Sequence, residues 1–357
     1  MGAEQAEGET LLISGNVAAG EAAIRAGCKF YAGYPITPQN ELTAFMADQL
    51  PLRGGIFIQA ESELAAINMV YGASAGGARA MTSSSSPGVS LKQEGISYIA
   101  GSEIPAVIIN VQRGGPGLGN ISPAQADYYQ TTRGGGHGDY RCIALAPATV
   151  QEVCDLTYLA FDLADAYRVP VIILSDGLLG QMMEQARFDH LPPPDPPPKP
   201  WALTGESGRE RNLVRSFRLS PDELEELNLK LQANYAKIEE NEVRCELTGP
   251  DQADVLLVAY GTSGRICRQV VERPLRKLPF KVALFRPITL WPFPSRELAE
   301  LAEKASGILV VEMSAGQMVD DVRLAVEGRC PVELLGRVGG QVPTALEITE
   351  RLEALFA

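Results

Sequence analysis

The sequence predicts an α/β protein made of two doubly wound domains. Over about the first 185 residues, apolar strand-like runs alternate with helical patterns, which is typical of a parallel sheet covered by helices on both faces. A proline-rich segment at 191–200 interrupts this alternation, which resumes at about Asp254. The length of 357 residues also fits two domains better than one.

The first domain, predicted at 1–190, begins with an Ala-rich helix over GNVAAGEAAIRAG that Gly27 ends. The runs FYAGYP and GIFIQA are short, apolar and bounded by Gly or Pro, and they predict two buried strands. A helix of small residues follows from about Glu61 to Gly77. The strand ARAMT, a helix after Pro87 and the strand PAVIINV come next.

The end of the first domain and the segment after it also have clear signals. A TxxE capping box, Thr149 with Glu152, begins a helix over 148–167, and the strand VPVIILS closes the domain. The run LPPPDPPPKP predicts a stiff polyproline spacer, which starts a linker region at 191–250. Within that region SPDE at 220–223 predicts a helix start, and one apolar face follows: Leu224, Leu227, Leu231, Tyr235 and Ile238.

The second domain is predicted at 251–357. Four apolar runs separated by helical stretches predict its strands: DVLLVAYG, FKVALFRP, GILVVEM and PVELLG. Tyr260 and the GTSG that follows it place a helix N-terminus directly after the first of these strands, and such a terminus favours an anion.

Composition argues against several classes of partner. The net charge is −13 and no Lys/Arg cluster is long enough to follow phosphates, so nucleic acid and anionic membranes are unfavourable partners. We find no secretory signal and no apolar run of the ~18 residues needed to cross a bilayer, which predicts a cytoplasmic protein. The six cysteines include no CxxC pair, so we expect free thiols and no metal or iron–sulfur site in this chain.

Four segments of the first domain follow predicted strands, where α/β sheets bind ligands. They are GYPITP (33–38), QAESELAA (59–66), TSSSSPG (82–88) and QRGGPGLGN (112–120). Each alone has a structural explanation: a shaped turn, acids in the first turn of a helix, a solvated loop, and a Gly-rich loop without a nucleotide-binding spacing. Their order and spacing along the chain carry more information than any one of them.

Taken together, the four segments resemble the alpha subunit of 2-oxoacid:ferredoxin oxidoreductases, over most of the chain from about Gly15. The resemblance implies a thiamine-diphosphate pyrimidine-binding-like domain followed by a transketolase C-terminal-like domain, the latter acting mainly as an interaction module. In such enzymes a glutamate bonds the N1′ atom of the aminopyrimidine and favours the tautomer that deprotonates the thiazolium. Here that residue is Glu63, with Gly72 nine positions later. Glu61 is the alternative, since its distance from the preceding strand fits slightly better.

The same resemblance implies the substrate site. Thr37 of YPITP and Arg113 would bind the 2-oxoacid carboxylate, Arg113 through its planar guanidinium, and Pro35 would contact the cofactor. Arg113 has a structural alternative, an ion pair with an Asp or Glu of this chain. His137 lies in a Gly-rich loop; it is either a loop residue without a role or a group at the mouth of the site that acts through its neighbours. His190, beside the prolines, is expected at the surface.

One expected motif is absent. The diphosphate half of thiamine enzymes has a GDG turn followed about 25 residues later by Asn, and together these hold Mg²⁺. Here SDG at 175–177 leads into the proline run, and GDY at 138–140 has no fitting Asn. The resemblance therefore implies a cofactor shared with a beta subunit that carries the Mg²⁺ and an iron–sulfur cluster. Gamma and ferredoxin-like delta subunits are the other expected partners.

The implied reaction is oxidative decarboxylation of a 2-oxoacid with coenzyme A to acyl-CoA, CO₂ and reduced ferredoxin. Leu118 stands in the segment where 2-oxoglutarate-type subunits carry hydroxyl residues, and it favours an apolar substrate side chain such as that of 2-oxoisovalerate. 2-Oxoglutarate is the next candidate. A rival of another class is a non-catalytic assembly or ligand-binding subunit with the same fold.

Overall fold

The computed structural model describes residues 10–356. Fifteen elements precede the proline-rich segment: β1 (Thr10–Ser14), α1 (Gly15–Arg25), β2 (Phe30–Gly33), α2 (Asn40–Leu52), β3 (Ile56–Gln59), α3 (Glu63–Ala75), β4 (Ala80–Ser84), α4 (Ser86–Gly101), β5 (Ala106–Gln112), α5 (Tyr128–Thr132), β6 (Ile143–Leu145), α6 (Val150–Tyr167), β7 (Pro170–Asp176), α7 (Gly177–Gln181) and β8 (Met183–Arg187).

Eleven further elements follow the proline-rich segment in the described chain. They are α8 (Pro221–Asn241), β9 (Cys245–Thr248), β10 (Val255–Val258), α9 (Gly261–Glu272), β11 (Val282–Pro287), β12 (Thr289–Trp291), α10 (Ser295–Ala302), β13 (Gly307–Glu312), α11 (Met318–Val326), β14 (Val332–Gly336) and α12 (Ala345–Phe356). The α/β class and the alternation of strands and helices are confirmed.

The first sheet has seven strands in the order β12-β6-β7-β5-β4-β2-β3. All neighbours pair in parallel except β12, which pairs antiparallel with β6. From β2 the chain moves outward to β3 and then returns to the other side of β2 as β4. This reversal opens a crevice at the carboxyl ends of β2 and β4, which is where ligands bind in open α/β sheets.

The burial of the strands follows their place in the sheet. Every residue of β4, β5 and β7 is buried, as expected for apolar strands covered on both faces. The prediction that GIFIQA is a buried strand is wrong, because β3 is the edge strand and Ile56 is 58% exposed. An apolar run does not reveal whether its strand is central or at an edge.

The second sheet has five strands in the order β14-β13-β10-β11-β9. The four predicted strands are present and parallel, and β9 adds an antiparallel edge that the sequence did not predict. The first sheet also takes a strand, β12, from residues 289–291 of the C-terminal part. The two parts of the chain are therefore joined through backbone pairing as well as side chains.

Helix α8 begins where SPDE predicts it, with Ser220 as the N-cap residue and Pro221 in the first turn. Four of the five predicted apolar positions are buried, Leu227, Leu231, Tyr235 and Ile238, and they join the core of the first domain. The fifth, Leu224, is 43% exposed and lines a groove beside Tyr98 and Phe217.

The predicted capping box of α6 also links the two domains. Thr149 Oγ1 accepts a hydrogen bond from Glu152 N at 3.1 Å, as predicted. The Glu152 carboxylate accepts from Ala148 N, and it also binds the buried Arg286 guanidinium of β11 at 2.6 and 2.9 Å. One residue therefore caps a helix of the first domain and anchors a strand of the second.

Candidate active site

Three of the predicted segments meet at the crevice through Arg113, the residue directly after β5. Arg113 is 7% exposed. Its Nη1 atom donates to the Thr37 carbonyl at 2.9 Å, and its Nη2 atom donates to the Leu118 carbonyl at 3.2 Å. No carboxylate within residues 10–356 forms an ion pair with Arg113, so the guanidinium positions two loops rather than balancing a structural acid. Its Nε atom is buried without a hydrogen-bond partner.

The loop after Arg113 is held in one shape by its glycines. Asn120 N donates to the Gly114 carbonyl at 3.0 Å and closes the loop. Gly119 has a φ of +59°, and a Cβ atom there would collide with the Gly114 carbonyl, so only glycine fits. Leu118, at the tip, is 81% exposed. The loop thus presents an apolar side chain outward while its backbone engages Arg113.

A buried polar network supports the GYPITP loop from behind. Ser83 Oγ donates to Gln39 Oε1 at 2.5 Å, and the Tyr31 hydroxyl lies 2.6 Å from Ser83 Oγ and 3.0 Å from Thr43 Oγ1. Burial raises the pKa of Tyr31, with hydrogen bonds from Ser83 and Thr43 acting against that shift. The network joins β2, β4 and α2 and so fixes where this loop leaves the sheet.

Within that loop, Thr37 is half-buried and Pro35 is exposed. Thr37 Oγ1 accepts a hydrogen bond from Asn40 Nδ2 at 3.2 Å. Its carbonyl is the one that Arg113 binds. Thr37, Arg113 and Leu118 are therefore brought together, as the sequence predicted.

The two candidate glutamates differ in burial. Glu61 is exposed, whereas Glu63, the first residue of α3, is 6% exposed. Ser62 caps this helix by accepting from Ala65 N at 3.1 Å. The Glu63 side chain faces Gly88 of α4, where an added Cβ would lie 2.5 Å from Glu63 Oε1. Glycine at 88 therefore lets α4 pack closely against the Glu63 carboxylate.

Several buried polar atoms at this edge of the sheet have no hydrogen-bond partner. Buried atoms without a hydrogen bond at the carboxyl ends of β4 and β5 are Thr82 Oγ1, Ser84 Oγ, Ser85 Oγ, Asn110 Oδ1 and Arg113 Nε. Buried polar groups are nearly always paired in native proteins. Their concentration at one edge indicates that a polar ligand completes this site.

A cleft of about 500 Å³ opens beside Arg113, between the first domain and residues 313–317 and 338–339 of the second. Asp127 lines it and accepts hydrogen bonds from Ser86 Oγ at 2.6 Å and Asn110 Nδ2 at 2.9 Å. Burial raises the pKa of Asp127, against the effect of those two bonds. Ser86 Oγ in turn accepts from Arg113 N at 3.0 Å, so Asp127 supports the backbone that carries Arg113. Sequence reasoning missed Asp127.

The prediction for His137 is not supported by its position. His137 is exposed, and its carbonyl accepts from Ser97 Oγ at 2.6 Å. Ser97 is eleven residues beyond Ser86 on α4, which corresponds to roughly 16 Å along the helix. The structure therefore does not bring His137 to the crevice. His190 is at the surface, as predicted, and bonds Asp155 at 2.8 Å.

The expected anion site of the second domain is filled by the protein itself. Asp176, at the end of β7, is 2% exposed and bonds Thr262 in the first turn of α9. The same carboxylate accepts from Leu178 N at 3.0 Å and Leu179 N at 3.2 Å. Gln125 adds a bond to the Tyr260 carbonyl at 2.9 Å. This helix N-terminus therefore holds the domains together instead of binding an external anion.

No helix in the described part of the chain is long and apolar enough to cross a membrane.

Two protein-family models match the chain. The model for the thiamine-diphosphate-binding region of pyruvate flavodoxin/ferredoxin oxidoreductases matches residues 21–198. The model for core domain II of pyruvate:ferredoxin oxidoreductases matches residues 253–348. The first match contains all four segments that the sequence analysis selected.

Curated relatives match over nearly their full length. The ketoisovalerate oxidoreductase subunit VorB of Methanothermobacter thermautotrophicus is 52% identical, with 96% of this chain and 97% of that protein covered. The 2-oxoglutarate synthase subunit KorA of Methanothermobacter marburgensis is 37% identical, with 96% of this chain and 98% of that protein covered. The resemblance predicted from the sequence is confirmed.

Solved structures agree with the fold. The 2-oxoglutarate:ferredoxin oxidoreductase of Magnetococcus marinus superposes with a TM-score of 0.84 at 28% identity; the alignment covers 97% of this chain and 65% of that one. A split-gene transketolase, an inactive beta4 tetramer, gives a TM-score of 0.60 at 15% identity and covers 97% and 100% of the two chains. The transketolase match concerns the fold alone, and it agrees with the predicted domain types.

Proposed function

This chain belongs to the 2-oxoacid:ferredoxin oxidoreductase family, and we propose that it is the alpha-type subunit of a 2-oxoisovalerate:ferredoxin oxidoreductase. In this proposal it supplies the pyrimidine-binding half of a thiamine diphosphate site and the anchor for the substrate carboxylate. The observation that carries the proposal is the buried Glu63 carboxylate packed against Gly88, at the same edge of the sheet as unpaired polar atoms that include Arg113 Nε.

The residues present fit the aminopyrimidine of thiamine diphosphate. A flat ring needs close approach to the protein backbone, and Gly88, which has no side chain, brings the backbone of α4 against Glu63 Oε1. A ring that carries amino and imino nitrogens also needs polar partners, and Ser84 Oγ and Ser85 Oγ are buried without any. Glu63 would hold the ring, with these hydroxyls lining its site.

The chemistry that thiamine diphosphate supplies when bound is a nucleophilic carbon that attacks the 2-oxo group; the protein supplies binding, orientation and charge. Glu63 would share a proton with N1′ of the pyrimidine. Because Glu63 is 6% exposed, little water reaches that proton.

Arg113 and Thr37 are proposed to hold the 2-oxoacid carboxylate. Arg113 is fixed by two carbonyls, so its orientation is set before substrate arrives, while Nε stays unpaired. A preorganised guanidinium loses little side-chain entropy on binding a carboxylate. Asp127 and Ser86 would keep the Arg113 backbone in place.

The choice of 2-oxoisovalerate rests on Leu118 and on the relatives. Leu118 lies at the tip of the loop that Arg113 holds, and an apolar residue there suits a branched alkyl group better than a second carboxylate. The VorB relatives are 52% identical and the KorA relatives 31–41% identical over most of the chain. 2-Oxoglutarate is the second candidate.

The remaining parts of the enzyme are proposed on partner subunits. A beta subunit would hold the diphosphate, Mg²⁺ and an iron–sulfur cluster, and gamma and ferredoxin-like delta subunits would complete the complex. Coenzyme A and ferredoxin would be the co-substrates, and the cytoplasm the location. We also propose domain limits at 1–190, 191–250 and 251–357, with the last domain serving mainly for interaction.

Reconstitution tests this function. The purified chain with thiamine diphosphate and Mg²⁺ is expected to show no 2-oxoacid-dependent viologen reduction, and addition of beta and gamma subunits should produce it, with higher kcat/KM for 2-oxoisovalerate than for 2-oxoglutarate. Leu118→Thr should narrow that preference by roughly tenfold, the scale of a small change in an apolar pocket. Robust turnover by the chain alone would contradict the shared site, and an assembled complex that binds cofactor without turnover would favour a non-catalytic subunit.

A further inference from the structure

Lys92 of α4 is a buried charged residue that has no role in the reaction described above. Its side chain is 0% exposed. Its Nζ atom donates to the Glu63 carbonyl at 3.3 Å, which is its one hydrogen bond among the described residues. A buried ammonium group with a single weak partner costs folding free energy, since its other two donors have lost water. Such a cost is common where a residue serves function.

Glu63 is the charged group that faces Lys92. The strands packed against α4 present uncharged residues over AMTSS and AVIINVQ, and Asp176 at the end of β7 is bound to the first turns of α7 and α9. On α4 itself Glu94 is exposed and bonds Tyr98. Asp127 is bound to Ser86 and Asn110, and His137 is exposed beyond the far end of the helix.

Lys92 and Gly88 are one turn apart on α4, so they share the face that meets Glu63. Gly88 packs against the carboxylate of Glu63, and Lys92 binds the backbone carbonyl of the same residue. We propose that Lys92 is a positioning residue for Glu63: its ammonium group attracts the Glu63 carboxylate and holds the Glu63 carbonyl, so that the first turn of α3 is fixed for the pyrimidine. This inference rests on the proposed role of Glu63 in cofactor binding.

The proposal has a consequence for pH dependence. Burial lowers the pKa of Lys92 to about 8, and the Glu63 carboxylate opposes that shift. As the pH rises through about 8, Lys92 loses its proton and Glu63 loses the neighbouring positive charge. The side chain then no longer attracts the Glu63 carboxylate or holds the Glu63 carbonyl through a charged donor, so the carboxylate is positioned less firmly for the pyrimidine.

The test compares wild type with Lys92→Met in the reconstituted complex. Wild-type kcat should fall as the pH rises through about 8. In Lys92→Met, kcat should no longer fall over this pH range, and kcat at pH 7 should be about tenfold lower than in wild type, or lower still. Its affinity for thiamine diphosphate, measured by titration calorimetry, should also be weaker at pH 7 and should no longer change across this pH range.

Stability of the free subunit gives a second readout. Because the folded-state pKa of Lys92 lies below its ordinary value of 10.5, the cost of the ammonium is present below about pH 8 and disappears as the pH rises toward 10.5. Lys92→Met should therefore raise Tm at pH 7 and raise it less at pH 10. Lys199 is the matched control: it is 11% exposed and paired with Asp165 at 2.6 Å, so Lys199→Met should lower Tm and leave the kcat profile unchanged.

Two results would overturn the inference. In the first, Lys92→Met has the same pH profile and the same cofactor affinity as wild type. In the second, Lys92→Met has a lower Tm at pH 7 with unchanged kinetics, which would mean that Lys92 has only a packing role. Glu63→Gln separates this failure from a failure of the proposed function. If Glu63→Gln abolishes turnover while Lys92→Met behaves as wild type, only the role of Lys92 is wrong; if neither variant matters, the role of Glu63 is wrong as well.

Discussion

The carboxyl ends of the strands in the two sheets have the same architecture, but they differ in whether their buried polar groups have hydrogen-bond partners. In the first sheet, the ends of β4 and β5 carry five buried polar atoms without partners, including Ser84 Oγ and Arg113 Nε. In the second sheet, Glu312 at the end of β13 is 0% exposed and accepts from the backbone N–H groups of Gln317, Met318 and Val319 at 3.1–3.2 Å. Asp176 binds Thr262 in the first turn of α9.

The difference teaches where a ligand belongs. A buried polar group without a partner costs about 1–3 kcal/mol, so an edge with several of them gains most from a bound molecule. An edge whose helix N-termini already hold carboxylates of the same chain has little to offer a ligand. The first edge is therefore the expected site of function. The second edge is expected to serve stability and domain contact, and the residues after β13, 313–317, form one wall of the cleft beside Arg113.

The largest expected effect is at Glu63. Glu63→Gln should lower kcat of the reconstituted complex by ~10²–10⁴-fold, because an amide cannot share the proton that the pyrimidine needs. The measurement is 2-oxoisovalerate-dependent viologen reduction at saturating cofactor. Glu61→Gln is the matched control, and since Glu61 is exposed its kcat should stay near wild type. If Glu61→Gln lost most of its kcat while Glu63→Gln kept it, the choice between the two glutamates would be reversed.

The next effect is at Arg113. Arg113→Lys keeps the charge but loses the planar guanidinium, so kcat/KM should fall roughly ten- to a hundredfold, mainly through KM. Thr37→Val should weaken the binding of every 2-oxoacid to a similar degree, since all of them share the carboxylate that Thr37 is proposed to hold. Steady-state kinetics with 2-oxoisovalerate and 2-oxoglutarate measures both variants. An unchanged KM with a lower Tm in Arg113→Lys would make Arg113 a structural residue that only holds its two loops.

The smallest effect on catalysis is expected in the second sheet. Glu312→Gln should destabilise the subunit by about 1–3 kcal/mol, because the first turn of α11 loses a charged acceptor. Activity per folded molecule should stay near wild type. Chemical denaturation of the free subunit, together with kinetics of the assembled complex, checks this. A large drop in kcat with unchanged stability would mean that this edge also serves the reaction.

The parts of the fold that the sequence predicted are those with local signals. The parallel strands were predicted from apolar runs bounded by Gly or Pro, and the start of α8 was predicted from SPDE. The start of α6 was predicted from its capping box. β12 was missed because three residues carry no periodicity, and β3 was wrongly expected to be buried because edge and central strands can share a composition.

The candidate site was predictable where its residues are contiguous and not where they meet only in space. GYPITP and the Arg113 loop follow strands and could be selected in advance. Asp127 could not, since its partners Ser86 and Asn110 are 41 and 17 residues away along the chain. Lys92 has the sequence context of an exposed helix residue, and only packing against α3 reveals its burial.

The most direct test of the account is the rise in Tm that thiamine diphosphate and Mg²⁺ cause in the assembled complex, compared for wild type, Glu63→Gln and Glu312→Gln. A ligand that binds the folded state stabilises it in proportion to its affinity, so the rise reports the cofactor's own contacts. The account predicts that Glu312→Gln lowers the starting Tm and keeps the full rise, while Glu63→Gln keeps a similar starting Tm and loses most of the rise. A full rise in Glu63→Gln, or its loss in Glu312→Gln, would contradict the assignment of the cofactor to the first sheet.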